Sequence, residues 1–353
     1  IIRCTLRRFY MTAYILRRLL SIPLTMIGVT LIVFCVIWSL GPDTLLSAYM
    51  TGGTGRAPNA AERIIKKYGL DEPAIIRYFI WISNTLRGDM GYSMAGRMDV
   101  SKAIRQMLPS SLELIFLSLI PIILIGSRLG LRAAMNPDGP VDSVFGFFST
   151  VGWATPDFIL GLLILTGGFV FFKWLPIGGL KLVAVKGWKD YTYSTLIDSI
   201  LNGRMKVFLE QLLSLLEPVM TLFLVNSAYI YQISRAGALE VKHNDYIRTA
   251  RSKGLSEREI MLKHVRKNAL IPVLTAGGEL FASMVAGVVF VETIFARTGI
   301  GSLIANAALM FDVLTLSGCV LVISILMITA NLLVDIAYSL VNPKVTLWKE
   351  IPG

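Results

Sequence analysis

Apolar runs recur along the chain at residues 19–40, 111–133, 141–174, 214–234, 269–291 and 312–340. Each approaches or exceeds the roughly 20 residues that cross about 30 Å of hydrocarbon. Inside a bilayer no water satisfies backbone polar groups, so runs of this kind form helices. The pattern predicts an all-α integral membrane protein with six transmembrane helices. The third run is too long for one straight span. Thr155-Pro156 predicts a break into two helices there, because a proline ring clashes with the turn before it.

Between the runs, the polar segments carry their own signals. In 41–108, Thr51-Gly52-Gly53-Thr54-Gly55 reads as a loop. Asn59 and Glu62 have capping-box spacing, and Gly69 stands where that helix would end. A second short helix is expected from near Asp71 and Pro73 to Arg87-Gly88. Ser110 and Glu113 also have capping-box spacing, which makes Glu113 a helix-start residue rather than a proton carrier. Met135-Asn136-Pro137-Asp138-Gly139-Pro140 reads as a tight turn. In 175–213, Trp188, Tyr191 and Tyr193, with Trp174 just before, are candidate interfacial anchors.

Charge orients this pattern. The net charge is +11, yet the basic residues lie mostly in loops flanking apolar runs, which points to membrane orientation rather than nucleic acid. Residues 1–18 hold five arginines and no acid, which places the N-terminus in the cytoplasm. Six spans return the C-terminus to the same side. The nine Lys and Arg of 41–108 run against the rule, but it is weak for long translocated loops. The expected layout is a cytoplasmic segment 1–18, a first span 19–40, an extracytoplasmic helical segment 41–108, a core 109–340 with five further spans, and a tail 341–353. The first run is long enough to span and lacks a small-residue cleavage pattern, so it is expected to stay. Cys4, Cys35 and Cys319 share no disulfide or metal spacing.

The most charged stretch runs from Arg235 to Thr275, with nine Lys or Arg, both histidines and four acids. Leu239, Tyr246, Ile247, Ala250, Leu255 and Ile260 stand among these charges at helical spacing. Such a segment lies in water and offers its apolar stripe to another surface. Ala250 and Gly254 are four apart, so they are expected on one helical face that permits close approach. Tyr246-Ile247-Arg248-Thr249-Ala250-Arg251-Ser252-Lys253-Gly254-Leu255-Ser256-Glu257, continued by His264, Arg266, Asn268, Ala269, Leu270 and Pro272, resembles the coupling segment of ABC importer permeases of the dipeptide/oligopeptide family. Arg248-Thr249-Ala250 stands where the segment's eponymous Glu-Ala-Ala would be, a variant that suits the peptide branch. The start of the first run resembles the family's N-terminal signature, although Gly41-Pro42-Asp43 departs from it. Tyr68-Gly69-Leu70-Asp71-Glu72-Pro73, Gly88-Asp89-Met90-Gly91-Tyr92-Ser93, Glu292-Thr293-Ile294-Phe295, Gly299-Ile300-Gly301 and Val341-Asn342-Pro343-Lys344 are similar to the family as well.

The resemblance implies the type I ABC importer permease architecture in a prokaryotic cell membrane. It implies a coupling helix within 235–268, with Tyr246, Arg248, Thr249, Ala250, Lys253, Gly254 and Leu255 at the contact with a separate ATPase. It implies two ATPase subunits, a second homologous permease and an extracytoplasmic substrate-binding protein. The same architecture also imports oligosaccharides or nickel chelates. A secondary transporter driven by ion gradients is the reading from another class, and would favour inverted repeats or several buried ionisable residues.

Catalytic patterns are missing from the sequence. It holds no Gly-Lys-Ser or Gly-Lys-Thr, so ATP and Mg²⁺ are expected in partner subunits and no cofactor in this chain. His243 and His264 lack zinc-pair spacing. Gly91-Tyr92-Ser93-Met94-Ala95 nearly matches a nucleophile elbow but has no histidine expected on its side of the membrane, so the chain is not expected to be an enzyme by itself. Glu279 stands inside the fifth apolar run, near Ser283 and Met284. A charge there costs on the order of 3 kcal/mol on insertion scales unless it faces water or a partner. The resemblance implies that this helix lines the translocation path, with related permeases carrying an apolar or amide residue nearby. Glu279, Ser283 and Met284 are therefore candidate path residues. In the other reading, Glu279 pairs near the cytoplasmic edge with Arg266 or Lys267.

Overall fold

The computed structural model describes residues 2–50, 59–171 and 187–341. The expected loop at Thr51–Gly55, the anchor at Trp174 and the tail from 342 onward lie outside these residues. The first apolar run, all but its last residue, lies within α1 (Ile2–Ser39). Three short helices follow: α2 (Pro42–Met50), α3 (Ala60–Tyr68) and α4 (Ala74–Leu86). A two-residue antiparallel hairpin, β1 (Tyr92–Ser93) and β2 (Met98–Asp99), leads into α5 (Val100–Met135). The third run is broken into α6 (Pro140–Ala154) and α7 (Asp157–Phe171). α8 (Thr195–Leu201), α9 (Met205–Lys242) and α10 (Asp245–Ser252) come next. α11 (Glu257–Ile260), a π turn (Met261–Val265) and α12 (Arg266–Ile294) form one continuous rod. The chain closes with α13 (Ile300–Leu309) and α14 (Val313–Val341).

Five of these helices are long and apolar enough to cross a membrane, or six if α6 and α7 count as one span bent by 108°. The break falls at Thr155-Pro156, as the proline dictates. The helices run beyond their apolar runs at several ends. α5 begins at Val100 rather than near Ser111, α9 continues through Lys242, and the fifth helix starts at Glu257. A helix does not end where its apolar residues end, provided that the flanking turns pack.

α5 and α9 pack most closely, and glycine is the reason. A Cβ on Gly130 would lie 2.5 Å from the Tyr231 carbonyl oxygen and 2.9 Å from the Arg235 nitrogen. Gly126 faces Ile230 and the Ser227 carbonyl on the same line. Ser234 adds a hydrogen bond to the Ser127 carbonyl at 2.9 Å. Small residues and interhelical hydrogen bonds of this kind hold helices together where lipid removes the hydrophobic drive between them. Leu114, Ile122, Leu222, Ile230, Met284 and Val288 fill the core between α5, α9 and α12.

Two expected caps take other roles. Asn59 sits in the left-handed region and makes no side-chain cap, whereas Gly69, at φ 60°, ends α3 as expected and its amide donates to the Ile65 carbonyl. Ser110 and Glu113 lie inside α5, so neither starts a helix. Glu113 instead accepts from Ser194 Oγ at 2.5 Å, the Leu196 amide at 3.2 Å and Gln211 at 3.1 Å, and lies 3.8 Å from the Arg297 guanidinium. Beside it, fully buried Glu292 accepts from Ser111 at 2.5 Å and from the Ser302 amide at 3.0 Å. The Glu292 carboxylate fills the space where a side chain on Gly299 would stand, and one on Gly301 would meet the Val289 backbone 2.6 Å away, which explains both glycines.

The hairpin is tied to the last helix by Asp312, which accepts from the Met94 and Ala95 amides at 2.7 and 3.2 Å. Ser93 is fully buried and accepts from the Gly96 amide at 2.8 Å, so it anchors a turn. In the neighbouring helices, Lys67 lies 2.5 Å from Asp89 and the Tyr68 hydroxyl donates to Asp89 at 2.9 Å. Burial alone would raise the Asp89 carboxyl, but these two partners hold it below its ordinary value, while burial and the same carboxylate push the Tyr68 phenol up.

Candidate functional site

The connection from α9 to α12 forms a small domain-like knob on one side of the bundle. α10 is amphipathic, and its apolar face turns inward. Ile247 is fully buried and Ala250 nearly so. They pack with Leu131 and Ala134 of α5, Ala238 and Val241 of α9, and Ile260, Met261, Val265 and Ala269 of the rod. Leu239 and Leu255 cover the edge of this cluster. The apolar stripe therefore belongs to the chain's own core.

This corrects the expectation that Ala250 and Gly254 share an open helical face. α10 ends at Ser252, and Gly254 lies beyond it at φ +80°, a conformation that suits glycine. Nothing stands within 4 Å of where a Gly254 Cβ would be, so Gly254 is open while Ala250 is closed. Tyr246, Arg248, Thr249 and Lys253 are exposed, and Leu255 is half-buried. The Tyr246 hydroxyl accepts from Asn268 at 2.9 Å, which fixes an exposed ring.

Polar clips brace the knob from outside. Arg251 grips Glu257 with two hydrogen bonds of 2.5 and 3.2 Å across the turn that carries Gly254. Ser256 and Glu259 form a reciprocal capping box that starts α11. Lys242 donates to the Ala134 carbonyl at 3.0 Å and closes the end of α5.

The second candidate lies on the bundle's flank. Glu279 and Ser283 are exposed on α12, in line with Thr275, Ala286 and Phe290 at helical spacing. Met284 is 1% exposed and belongs to the core, so the structure separates it from the other two path candidates. Glu279 accepts from the Tyr229 hydroxyl at 2.8 Å; no ion pair joins it to Arg266 or Lys267 among the described residues. The Tyr229 ring stacks on Trp153 with centroids 5.3 Å apart and planes 20° apart. Further along the same two helices, Gln232 donates to Ser149 at 2.8 Å, and Arg235 clasps Asp142 at 2.5 and 2.6 Å. α6 is thus zipped to α9 from Asp142 up to the break. Only the crossing of three helices brings Tyr229 to Glu279 and stacks Trp153 on Tyr229.

The fold and its site define a polytopic helical permease with a braced connection on one side and a polar strip on one flank. The sequence comparisons agree. The family of binding-protein-dependent transport system inner membrane components matches residues 123–347, and the N-terminal module of these membrane components matches residues 11–115. The chain belongs to this family, and its architecture is that of a type I ABC importer permease. It is 32% identical over 337 residues to the oligopeptide transport system permease protein AppB of Bacillus subtilis, covering 95% of this chain and 99% of the relative. It is 30% identical, with the same coverage, to the dipeptide transport system permease protein DppB of Escherichia coli.

Proposed function

We propose that this chain is the transmembrane permease subunit of an ATP-driven, binding-protein-dependent importer of di- and oligopeptides. Two relatives named for oligopeptide and dipeptide transport, each aligned over nearly its whole length, support the cargo class. The braced knob carries the reading of how it works. Its core is sealed by the chain itself, so Tyr246, Arg248, Thr249, Lys253 and Gly254 are left as an outward docking surface. Ala250 and Leu255 support that surface from beneath. An ATPase that seats on it transmits its closure into α9 and the α11–α12 rod, which lead out of the knob. ATP and Mg²⁺ are bound by two such partner subunits, not by this chain, which is not an enzyme by itself. A second homologous permease completes the path, and an extracytoplasmic binding protein delivers the peptide. No nucleic acid takes part.

The decisive experiment purifies the chain with its cognate permease, ATPases and binding protein, reconstitutes the complex and follows ATP-dependent uptake. Labelled tripeptides are expected to accumulate in the vesicles, while maltotriose and a nickel chelate are not. Uptake of the sugar or the chelate instead would replace the cargo class. Uptake driven by an ion gradient without ATP would remove the ABC mechanism for this complex.

Orientation follows from the arginines of 1–18 and the basic knob, which both belong in the cytoplasm together with the C-terminus. Single cysteines at Ser47 and Tyr191, both exposed and on the side opposite the knob, are expected to react with an impermeant maleimide in intact cells. A cysteine at Ser252 is expected to stay protected until the membrane is opened. Labelling of position 252 from outside would invert the topology.

A further inference from the structure

We propose that Trp153, Tyr229 and Glu279 form a cradle for a cationic group of the cargo, the α-ammonium or a basic side chain of a peptide. The proposal rests on the peptide-importer reading and adds where the path recognises charge. Glu279 stands ten residues from the start and twelve from the end of the apolar run 269–291, about 15 and 18 Å at about 1.5 Å per residue. Tyr229, hydrogen-bonded to it, lies within the run 214–234. A carboxylate at that depth cannot face lipid, so the flank that exposes it is wet or covered by a partner. The neighbouring backbone says the same. α6 and α7 part at Thr155-Pro156, two residues beyond Trp153, and non-helical backbone at membrane depth occurs only against protein or a wet cavity.

The chemistry is that of a cation site. The Tyr229 hydroxyl donates to Glu279 Oε2 at 2.8 Å and orients the carboxylate, leaving Oε1 without a partner among the described residues. The Trp153 ring, 58% exposed, stacks on the Tyr229 ring whose hydroxyl holds this carboxylate, and its other face is an open π surface in the same cluster. A carboxylate with an aromatic face recognises ammonium or guanidinium through charge and the ring quadrupole together.

Charge balance points the same way. Four residues after Trp153, the Asp157 carboxylate reaches α12 where a Gly287 side chain would stand, 2.9 Å from that Cβ position. Asp157 has no hydrogen bond or ion pair from its carboxylate among the described residues. The chain places no Lys or Arg in 141–171, 207–234 or 268–296 to neutralise these two acids. The nearest basic residue on α9, Arg235, is already held by Asp142. Among the described residues no cation is paired with either acid, and in an importer the passing cargo supplies one.

The test uses the complete reconstituted importer with saturating binding protein. Initial uptake rates are measured for trialanine, alanyl-lysyl-alanine and the N-acetylated form of each, and each rate is referred to the least cationic of these peptides that the wild type imports. Glu279→Gln is expected to lower the relative rate of the cationic peptides about 5- to 10-fold. Trp153→Leu and Tyr229→Phe are expected to lower it in the same direction by about 2- to 5-fold. A loss that follows the free amino terminus assigns the cradle to the α-ammonium; a loss that persists in the acetylated lysyl peptide assigns it to the side chain. Unchanged ratios in all three variants overturn the proposal and leave the importer reading standing. Failure of the wild type to import any of the four overturns the importer reading itself. Should Glu279→Gln not assemble by size exclusion, the ratios of the other two variants decide the matter by the same criterion.

Discussion

Gly254→Trp is expected to abolish ATP-driven transport while the permease still folds and inserts. The glycine lies just past α10, exposed, with open space around its Cβ position, so the indole meets nothing in its own chain. Its cost to folding is the backbone alone: a non-glycine residue at φ +80° loses roughly 1–2 kcal/mol. That loss is small beside the packing of Ile247, Ala250 and Ile260 beneath it. The indole does, however, stand on the surface proposed to dock the ATPase, and a bulky projection at the centre of a docking surface prevents close seating. Gly254→Asn separates the two effects, because asparagine tolerates the left-handed region and is short. Transport and peptide-stimulated ATP hydrolysis are measured for both in the reconstituted complex. The expected outcome is background activity for tryptophan and more than half of wild-type activity for asparagine. Wild-type transport by the tryptophan variant would show that the knob is only a solvated turn. Loss of the ATPase from the purified complex would still locate the contact at Gly254.

Gly130→Leu is expected to give the largest loss of stability of any single substitution on α5. A leucine there drives its Cβ against the Tyr231 carbonyl oxygen and the Arg235 nitrogen, both main-chain atoms of α9 that cannot rotate away. Overpacking against backbone costs about 3 kcal/mol or more, because two whole helices have to separate. The Ser234 to Ser127 hydrogen bond is lost as well, and the clasp of Arg235 on Asp142 is displaced. Gly28→Leu is the matched control: that glycine has nothing within 4 Å of its Cβ position, so the change is expected to stay within about 0.5 kcal/mol. Melting temperature in detergent and yield of monodisperse protein report the difference. Equal melting temperatures for the two variants would mean that α5 and α9 do not depend on this contact.

Much of the fold was legible in the amino-acid pattern because the bilayer imposes simple local rules. Length and hydropathy located the spans, Pro156 located the break in the third, and Gly69 located the end of α3. Each of these is a constraint that a residue places on its own backbone. The charged connection between α9 and α12 was legible for a related reason: a highly charged amphipathic segment between apolar runs has few places to go. What stayed hidden were relations between segments. The spacing of Ala250 and Gly254 suggested one face, yet the chain turns between them. One residue is buried under α5 and α9, and the other is open.

Ser110 and Glu113 show the same division. Their spacing satisfies a capping box, but α5 begins ten residues earlier, and Glu113 is claimed by Ser194, Gln211 and Arg297 from three other segments. A local pattern could not reveal partners so distant in sequence. By itself the sequence determined which stretches are apolar enough to cross a membrane, where one of them breaks and which segment carries the exposed charge, since burial in lipid and backbone stereochemistry act residue by residue. Only the tertiary structure decided which side chains those helices share: that the stripe of α10 is consumed internally, that Met284 is core while Ser283 is surface, and that Tyr229 meets Glu279 with Trp153 stacked on its ring. Those outcomes depend on the close crossing of α5 and α9 at Gly130 and on the angle at which α6 leaves the break, and geometry of that kind exists only once the helices have packed.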